Sequence, residues 1–252
     1  MGVTQTCAVR NQTILLDLDS DQESEDDLRN YELWRAGHYH NKEPDTLNWI
    51  DAHFNEGDTI YDIGTNIGQY SLYAAKTLNG NAQILCFEPE ALNFAKLNRN
   101  ILLNDLGSTM TAYPIAVSDK TGVDHFYSKA FKTGAALHAL GRAVTQGEKA
   151  FEPHNRQGIM AVSLDELTGT YGLPFPTHVK VDVDGIEDRI VNGAHKTLRD
   201  SRLKTFLIEV YMHKGLADHI KQAFFDAGFQ LSNEDVVDFS DGVVQNLIFV
   251  RD

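Results

Sequence analysis

Residues 61–72, YDIGTNIGQYSL, constrain this chain more than any other stretch. A short apolar run carries Asp62 near its end, Gly64 and Gly68 follow, and a helical pattern opens at Gln69. A strand, a tight glycine turn and a helix N-terminus have this appearance in sequence. Glycine permits positive φ and close approach of backbone to a ligand. The helix start adds free N–H groups and the positive end of a dipole. Such a turn is suited to a nucleotide-like ligand.

Which nucleotide is narrowed by what the turn lacks. A phosphate-binding loop requires G-x-x-x-x-G-K-[ST], and no such lysine follows Gly68. A dinucleotide fingerprint requires G-x-G-x-x-G, whereas Asn66 holds the middle position. Asn tolerates left-handed φ better than most residues, so the chain can still turn there. Asp62 at the strand end would repel a pyrophosphate but attract the ammonium of S-adenosylmethionine. Glu88, twenty residues past Gly68, ends the next strand, where an acid can accept from both ribose hydroxyls. The set favours S-adenosylmethionine over NAD. An NAD-dependent oxidoreductase and a catalytically silent cofactor-binding module are the alternatives.

The rest of the chain repeats strand and helix around this turn. Strands are expected at 59–63, 83–87, 110–117, 178–183 and 205–211, with helices at 69–78, 91–104, 186–198 and 216–227. Pro114 marks the third strand as an edge or bulged one. Gly228 reads as a helix C-cap, and 229–231 with 243–250 as a closing hairpin turning at Asp241-Gly242. This alternation predicts a mostly parallel sheet with helices on both faces. Residues 118–160 break the rhythm, with a possible strand at 123–127, and read as a substrate-loop excursion; regular structure resumes at 159–162, and Ser163 with Glu166 reads as the capping box of a short helix. Before the first core strand lies an extension, residues 1–56, with a short strand at 13–16 and helices at 26–36 and 44–54. The domain proper is expected over 57–252.

Seven acids fall between Asp17 and Asp27 with no base among them. Counted as a calcium loop from Asp17, Gln22 stands where Gly is needed and Leu28 where Glu is needed, so the segment reads as solvated. Net charge is −14, from 36 acids against 22 Lys plus Arg, which argues against a general grip on nucleic acid. No leader pattern or membrane-length apolar run occurs, and a cytoplasmic protein without a membrane association is expected. Cys7 and Cys86 form neither a disulfide framework nor a zinc cluster, and Cys86 reads as a buried apolar group.

In order along the chain, YDIGTNIGQYSL, CFEPEALNFAKLNRNILLN (86–104), AVSDKTG (116–122), SLDEL (163–167) and VKVDVDGIEDRIVNGA (179–194) resemble the FkbM family of S-adenosylmethionine-dependent methyltransferases. The likeness runs from about residue 57 to 211. It implies a Rossmann-like class I methyltransferase fold, with seven strands in the order 3-2-1-4-5-7-6 and the last antiparallel. It also implies methyl transfer to a hydroxyl of a small-molecule, sugar, glycan or natural-product acceptor. Matched by position, Asp62, Gly64, Asn66, Gly68 and Ser71 would line the methionine end. Glu88 would hold the ribose, and Ala116, Val117 and Ser118 would border the adenine. Asp182 would lie near the methyl group and acceptor. Thr65 stands where the family has a small residue, commonly Ala, and Asp184 where it generally has Glu.

Transfer from a sulfonium to an alcohol needs alignment, exclusion of water and a base for the hydroxyl proton. The candidate catalytic residues are Asp182, Asp184 and Glu187, at a strand end and the helix start after it. Lys180, Glu209 and His213 are candidate acceptor contacts. Lys180 and Asp182 share a strand face, so the lysine would keep the aspartate ionised. Glu187 has a plainer role as a helix-start cap. His138 and His154 lie in the excursion and read as solvated. A magnesium mechanism would use Asp182 and Glu209 as in catechol-type methyltransferases, but Val210 replaces the further oxygen ligand, and no metal site is expected.

Overall fold

The computed structural model describes residues 2–22, 30–211, 215–239 and 242–251. His213 and Asp241 lie outside the described residues. The chain opens with a hairpin, β1 (Val3–Val9) and β2 (Gln12–Leu18), followed by helices α1 (Tyr31–His38) and α2 (Pro44–His53). Only part of β2 was expected. The first strand alternates as the second does, and its Cys7 and Val9 face inward. Asn30 caps α1 by accepting from the Leu33 N–H, so this helix begins at Tyr31, and residues 26–29 of the expected helix lie outside the described residues.

Then follow β3 (Thr59–Ile63), α3 (Gln69–Thr77), β4 (Gln83–Phe87), α4 (Ala91–Leu103) and β5 (Met110–Tyr113). The expected third strand stops at Tyr113, where Pro114 removes a donor and the chain leaves the sheet. It enters a second sheet made of β6 (Ala116–Val117), β7 (Gly122–Ser128), β8 (Ala139–Leu140) and β9 (Asn155–Val162). The excursion is part strand and part loop: β7, β8 and most of β9 lie within it and join β6 in a four-stranded sheet of order β6-β9-β7-β8.

The main sheet resumes after α5 (Leu164–Gly169) with β10 (His178–Val181), which ends two residues earlier than expected. The expected single helix after it is two, α6 (Glu187–Asn192) and α7 (His195–Arg199). They part at Gly193, where a Cβ would lie 2.2 Å from the Ser118 carbonyl oxygen. The chain closes with β11 (Thr205–Tyr211), α8 (Leu216–Asp226), β12 (Gln230–Phe239) and β13 (Gly242–Val250). Gly228 takes the left-handed φ of +88° expected of a helix C-cap.

The seven-stranded sheet runs β5-β4-β3-β10-β11-β13-β12. Numbered by chain position within that sheet, this is 3-2-1-4-5-7-6, with β13 antiparallel to both neighbours. Each strand feeds two cores by alternation. Ile60, Ile84, Cys86 and Leu207 face the layer formed by the N-terminal hairpin and α2–α4. Tyr61, Ile63, Phe87, Val179 and Phe206 face the layer that includes α6–α8.

Two acids of the segment expected to be solvated, Asp17 and Asp19, are paired, while Glu23, Glu25, Asp26 and Asp27 lie outside the described residues. Lys96, only 3% exposed, sits within 2.9 Å of carboxylate oxygens on Asp17, Asp19 and Glu32. Two of these acids anchor the hairpin to α4 rather than standing free in solvent. Among the described residues no helix is long and apolar enough to cross a membrane.

Candidate active site

Parallel register brings the key residues to one edge of the sheet, since Val181 lies beside Ile63 on one side and Ile208 on the other. Asp62, Asp182 and Glu209 therefore cluster at the carboxyl ends of β3, β10 and β11. A cavity of about 380 Å³ opens there. It is lined by Asp62, Gly64, Asn66, Glu88, Ala116, Val117, Lys180, Asp182, Asp184 and Glu209 among the expected residues.

The glycine turn fits against the end of β10. Gly64 has φ +81°, and a Cβ on it would lie 1.9 Å from the Asp182 carbonyl oxygen. The turn is pinned to β4 by the Gly64 N–H, which donates to the Phe87 carbonyl at 2.9 Å. Asn66 adopts φ +54°, the left-handed turn expected of it. Its N–H donates to Glu88 Oε2 at 2.7 Å, and the Glu90 N–H donates to Oε1 at 2.8 Å. Each Glu88 oxygen thus has one backbone partner and keeps a second lone pair. Burial pushes the Glu88 carboxyl up to about 8, against the pull of those two N–H groups.

Asp62 is 4% exposed. Its Oδ2 accepts from the Ser71 hydroxyl at 2.5 Å, while its buried Oδ1 has no partner among the described residues. Burial raises its pKa, and Lys180 and Ser71 draw it back only in part. Lys180 donates to Asp182 Oδ2 at 2.8 Å and lies 3.8 Å from Glu43. Burial opposes the charge on Asp182, yet Lys180 holds its carboxyl well below the usual range. Glu209 moves the other way, because burial, Asp182 and Glu43 all push it up.

Four expected site residues stand behind the lining. Gly68 starts α3 at φ +97° with its Cβ position against Leu97. Ser71 supports Asp62 from the helix, and the fully buried Ser118 donates to Asp119 at 3.1 Å. Glu187, also fully buried, accepts from the Gly185 N–H at 3.0 Å, and its Oε2 has no partner among the described residues. Burial lifts its carboxyl to about 8. Asp184 faces the cavity but accepts from the His138 N–H at 3.0 Å, so it clamps a loop. Burial raises its carboxyl to about 6.

Several lining residues carried no signal in the sequence. Arg35 and Lys42 reach the cavity from the N-terminal extension, and Glu43 supports it by pairing with Lys42 and Lys180. The Tyr70 hydroxyl is buried without a partner among the described residues, and Lys180 lies 5.2 Å from its ring centroid. The loop 133–138 contributes Ala135 to His138. His138 is buried, not solvated, whereas His154 is exposed.

The sheet order and the cavity at its strand ends define a Rossmann-like class I methyltransferase fold. A sequence model of the methyltransferase FkbM domain matches residues 62–231, and the chain belongs to that family. It is 25% identical over 168 residues to the hexuronic acid methyltransferase AglP of Haloferax volcanii, covering 67% of this chain and 62% of that protein. It is 24% identical over 195 residues to methyltransferase sdnD of Sordaria araneosa, covering 69% and 74% respectively. The chain thus spans a little under two thirds of AglP's length. The crystal structure of an FkbM methyltransferase from Methylobacillus flagellatus shares the fold, with a TM-score of 0.50 at 15% identity over 90% of this chain and 56% of that one.

Proposed function

We propose that this protein transfers a methyl group from S-adenosylmethionine to a hydroxyl oxygen of a sugar, glycan or other small-molecule acceptor. The observation that carries the reading is the unpartnered, buried Asp62 Oδ1 in the cavity wall beside the glycine turn. A buried carboxylate oxygen left without a donor is costly unless a ligand supplies one. The cofactor's ammonium would do so, and a pyrophosphate would not. The remaining Glu88 lone pairs suit the ribose hydroxyls, and Ala116 and Val117 offer apolar surface for the base. The cavity volume lies within the range of small-molecule sites. The hexuronic acid named for AglP supports a sugar-type acceptor.

When bound, S-adenosylmethionine supplies a methyl group already activated by its sulfonium charge. The protein's part is alignment, exclusion of water and handling of one proton. Asp182, kept ionised by Lys180, accepts a hydrogen bond from the acceptor hydroxyl and orients it. As the new C–O bond forms, Asp182 takes the proton that the hydroxyl releases, and Glu209, its neighbour on β11, whose carboxyl is pushed up by burial, Asp182 and Glu43, stands beside it. Glu43 braces Lys180 from the extension. Asp184 and Glu187 act as positioning residues, one on the lining loop and one at the start of α6.

Calorimetry tests the cofactor. The wild-type protein is expected to bind S-adenosylhomocysteine, with Asp62→Asn weakening it roughly tenfold to a hundredfold as a charge-assisted bond is lost. Binding of NADH in its place would overturn the reading. Transfer of label from S-adenosylmethionine to a panel of hexoses and uronic acids then tests the reaction. Cofactor binding with no transfer to any hydroxyl would identify a silent binding module.

A further inference from the structure

His138 is 6% exposed and lines the cavity, and among the described residues neither ring nitrogen has a hydrogen-bond partner. Leaving a buried imidazole unpaired costs free energy that a ligand can recover. The backbone is strained at the same place. Leu137 holds φ +63°, a left-handed conformation unfavourable for a bulky residue, although its side chain is 45% exposed and gains little from the position. The surroundings impose this shape. The His138 N–H is fixed on Asp184, the Ala135 carbonyl accepts from Asn66 at 2.9 Å and from Asn93 at 3.2 Å, and the Gly134 N–H donates to Asn93 at 2.7 Å.

These ties place His138 on a particular side of the cavity. Asn66 bonds both to the Ala135 carbonyl and to Glu88, so the start of the loop is fastened to the ribose side of the turn, while the His138 N–H ties its end to Asp184 after β10. The imidazole packs on Phe126, with centroids 5.6 Å apart, and Phe126 shares a cluster with Ala116 and Leu140. Burial, with the nearby Arg35 charge, lowers the imidazole to about 4, so it is neutral, with one donor and one acceptor nitrogen. The Ala135 carbonyl lies near enough to draw that value up slightly, without reaching hydrogen-bond geometry with either nitrogen. A proton on the nitrogen nearer that carbonyl leaves a lone pair on the other.

We propose that His138 reads the adenine of the bound cofactor, its free ring nitrogen accepting a hydrogen bond from the exocyclic amino group. The assignment rests on the cofactor reading above. It is tested by calorimetry with S-adenosylhomocysteine and with the analogue whose purine lacks the 6-amino group. The wild-type protein is expected to prefer the amino compound roughly tenfold or more, and His138→Leu to bind both within about twofold of each other. His138→Gln, which retains an acceptor oxygen, is expected to restore part of the preference. In histidine-labelled wild-type protein, S-adenosylhomocysteine should shift the acceptor ring-nitrogen resonance of His138 well beyond the shift that the analogue causes. An undiminished preference in His138→Leu, or an unmoved resonance, overturns the assignment while leaving the cofactor in place. A wild-type protein that binds neither compound overturns the cofactor reading and this assignment with it.

Discussion

Gly64 and His138 line one cavity, but different forces put them there. Gly64 is set by its own backbone, in a turn between a strand and a helix that no Cβ could enter. His138 is set by side chains from three distant parts of the chain, Asn66, Asn93 and Asp184, which seize the backbone of its loop. The strand-end half is built from local geometry and stores buried charge. The loop is built from long-range hydrogen bonds and stores backbone strain. A site divided this way can keep its cofactor grip fixed while the loop varies, because the two halves meet through few groups.

The largest effect is expected from breaking the strand-end half at its tightest point. Gly64→Ala places a methyl group on the Asp182 carbonyl and holds a non-glycine residue at φ +81°. Backbone blocks the space, so the turn or β10 must move, at a cost of roughly 4 kcal/mol or more. Denaturant unfolding measures the loss, which should be accompanied by loss of S-adenosylhomocysteine binding. A variant as stable as wild type would show that the turn can shift away from β10 without penalty.

The stored charge can be probed through Glu187. Its folded-state pKa of about 8 lies above an unfolded value of about 4.3, so the folded chain keeps a proton that the unfolded chain has released. Stability is therefore lost as pH rises from about 4.3 through 8. In Glu187→Gln the amide oxygen can still accept from Gly185, and the penalty disappears. The variant should match wild type at pH 4 and exceed it by on the order of 2 kcal/mol at pH 6. Equal gains at both pH values would mean that packing, not charge, sets the cost. Binding of S-adenosylhomocysteine should be unaffected, since Glu187 lies behind the lining.

The division between the halves also explains what could be read from sequence. Gly64, Asn66, Asp62 and Glu88 were legible because a turn between two elements restricts residue type within a few positions. Lys180 and Asp182 were legible because strand periodicity puts them on one face. His138 was not, since nothing near it in sequence marks burial, and its partners lie tens of residues away. Lys42 and Arg35 reach the cavity only because the β1–β2 hairpin and the first two helices pack over α3 and α4. The sheet within the excursion was legible only in part, at 123–127 and 159–162, and its pairing was not. Along Gly122–Ser128 only Phe126 and Ser128 are buried, so the alternation that signals a strand is faint.

The smallest effect, and the sharpest test of the division, is expected from Asn93→Ala. Asn93 is 1% exposed, and its amide accepts from the Gly134 N–H and donates to the Ala135 carbonyl. Ala135 retains its bond from Asn66, so the main loss is one buried N–H left unsatisfied, worth about 1–2 kcal/mol. If the loop is a separate unit, hydrogen exchange should quicken at residues 134–138 while the amides of β3 and β4 keep their wild-type rates. Quickening of all of them by the same factor would mean that loop and sheet open together, and the contrast between the two halves would then concern only how each was built.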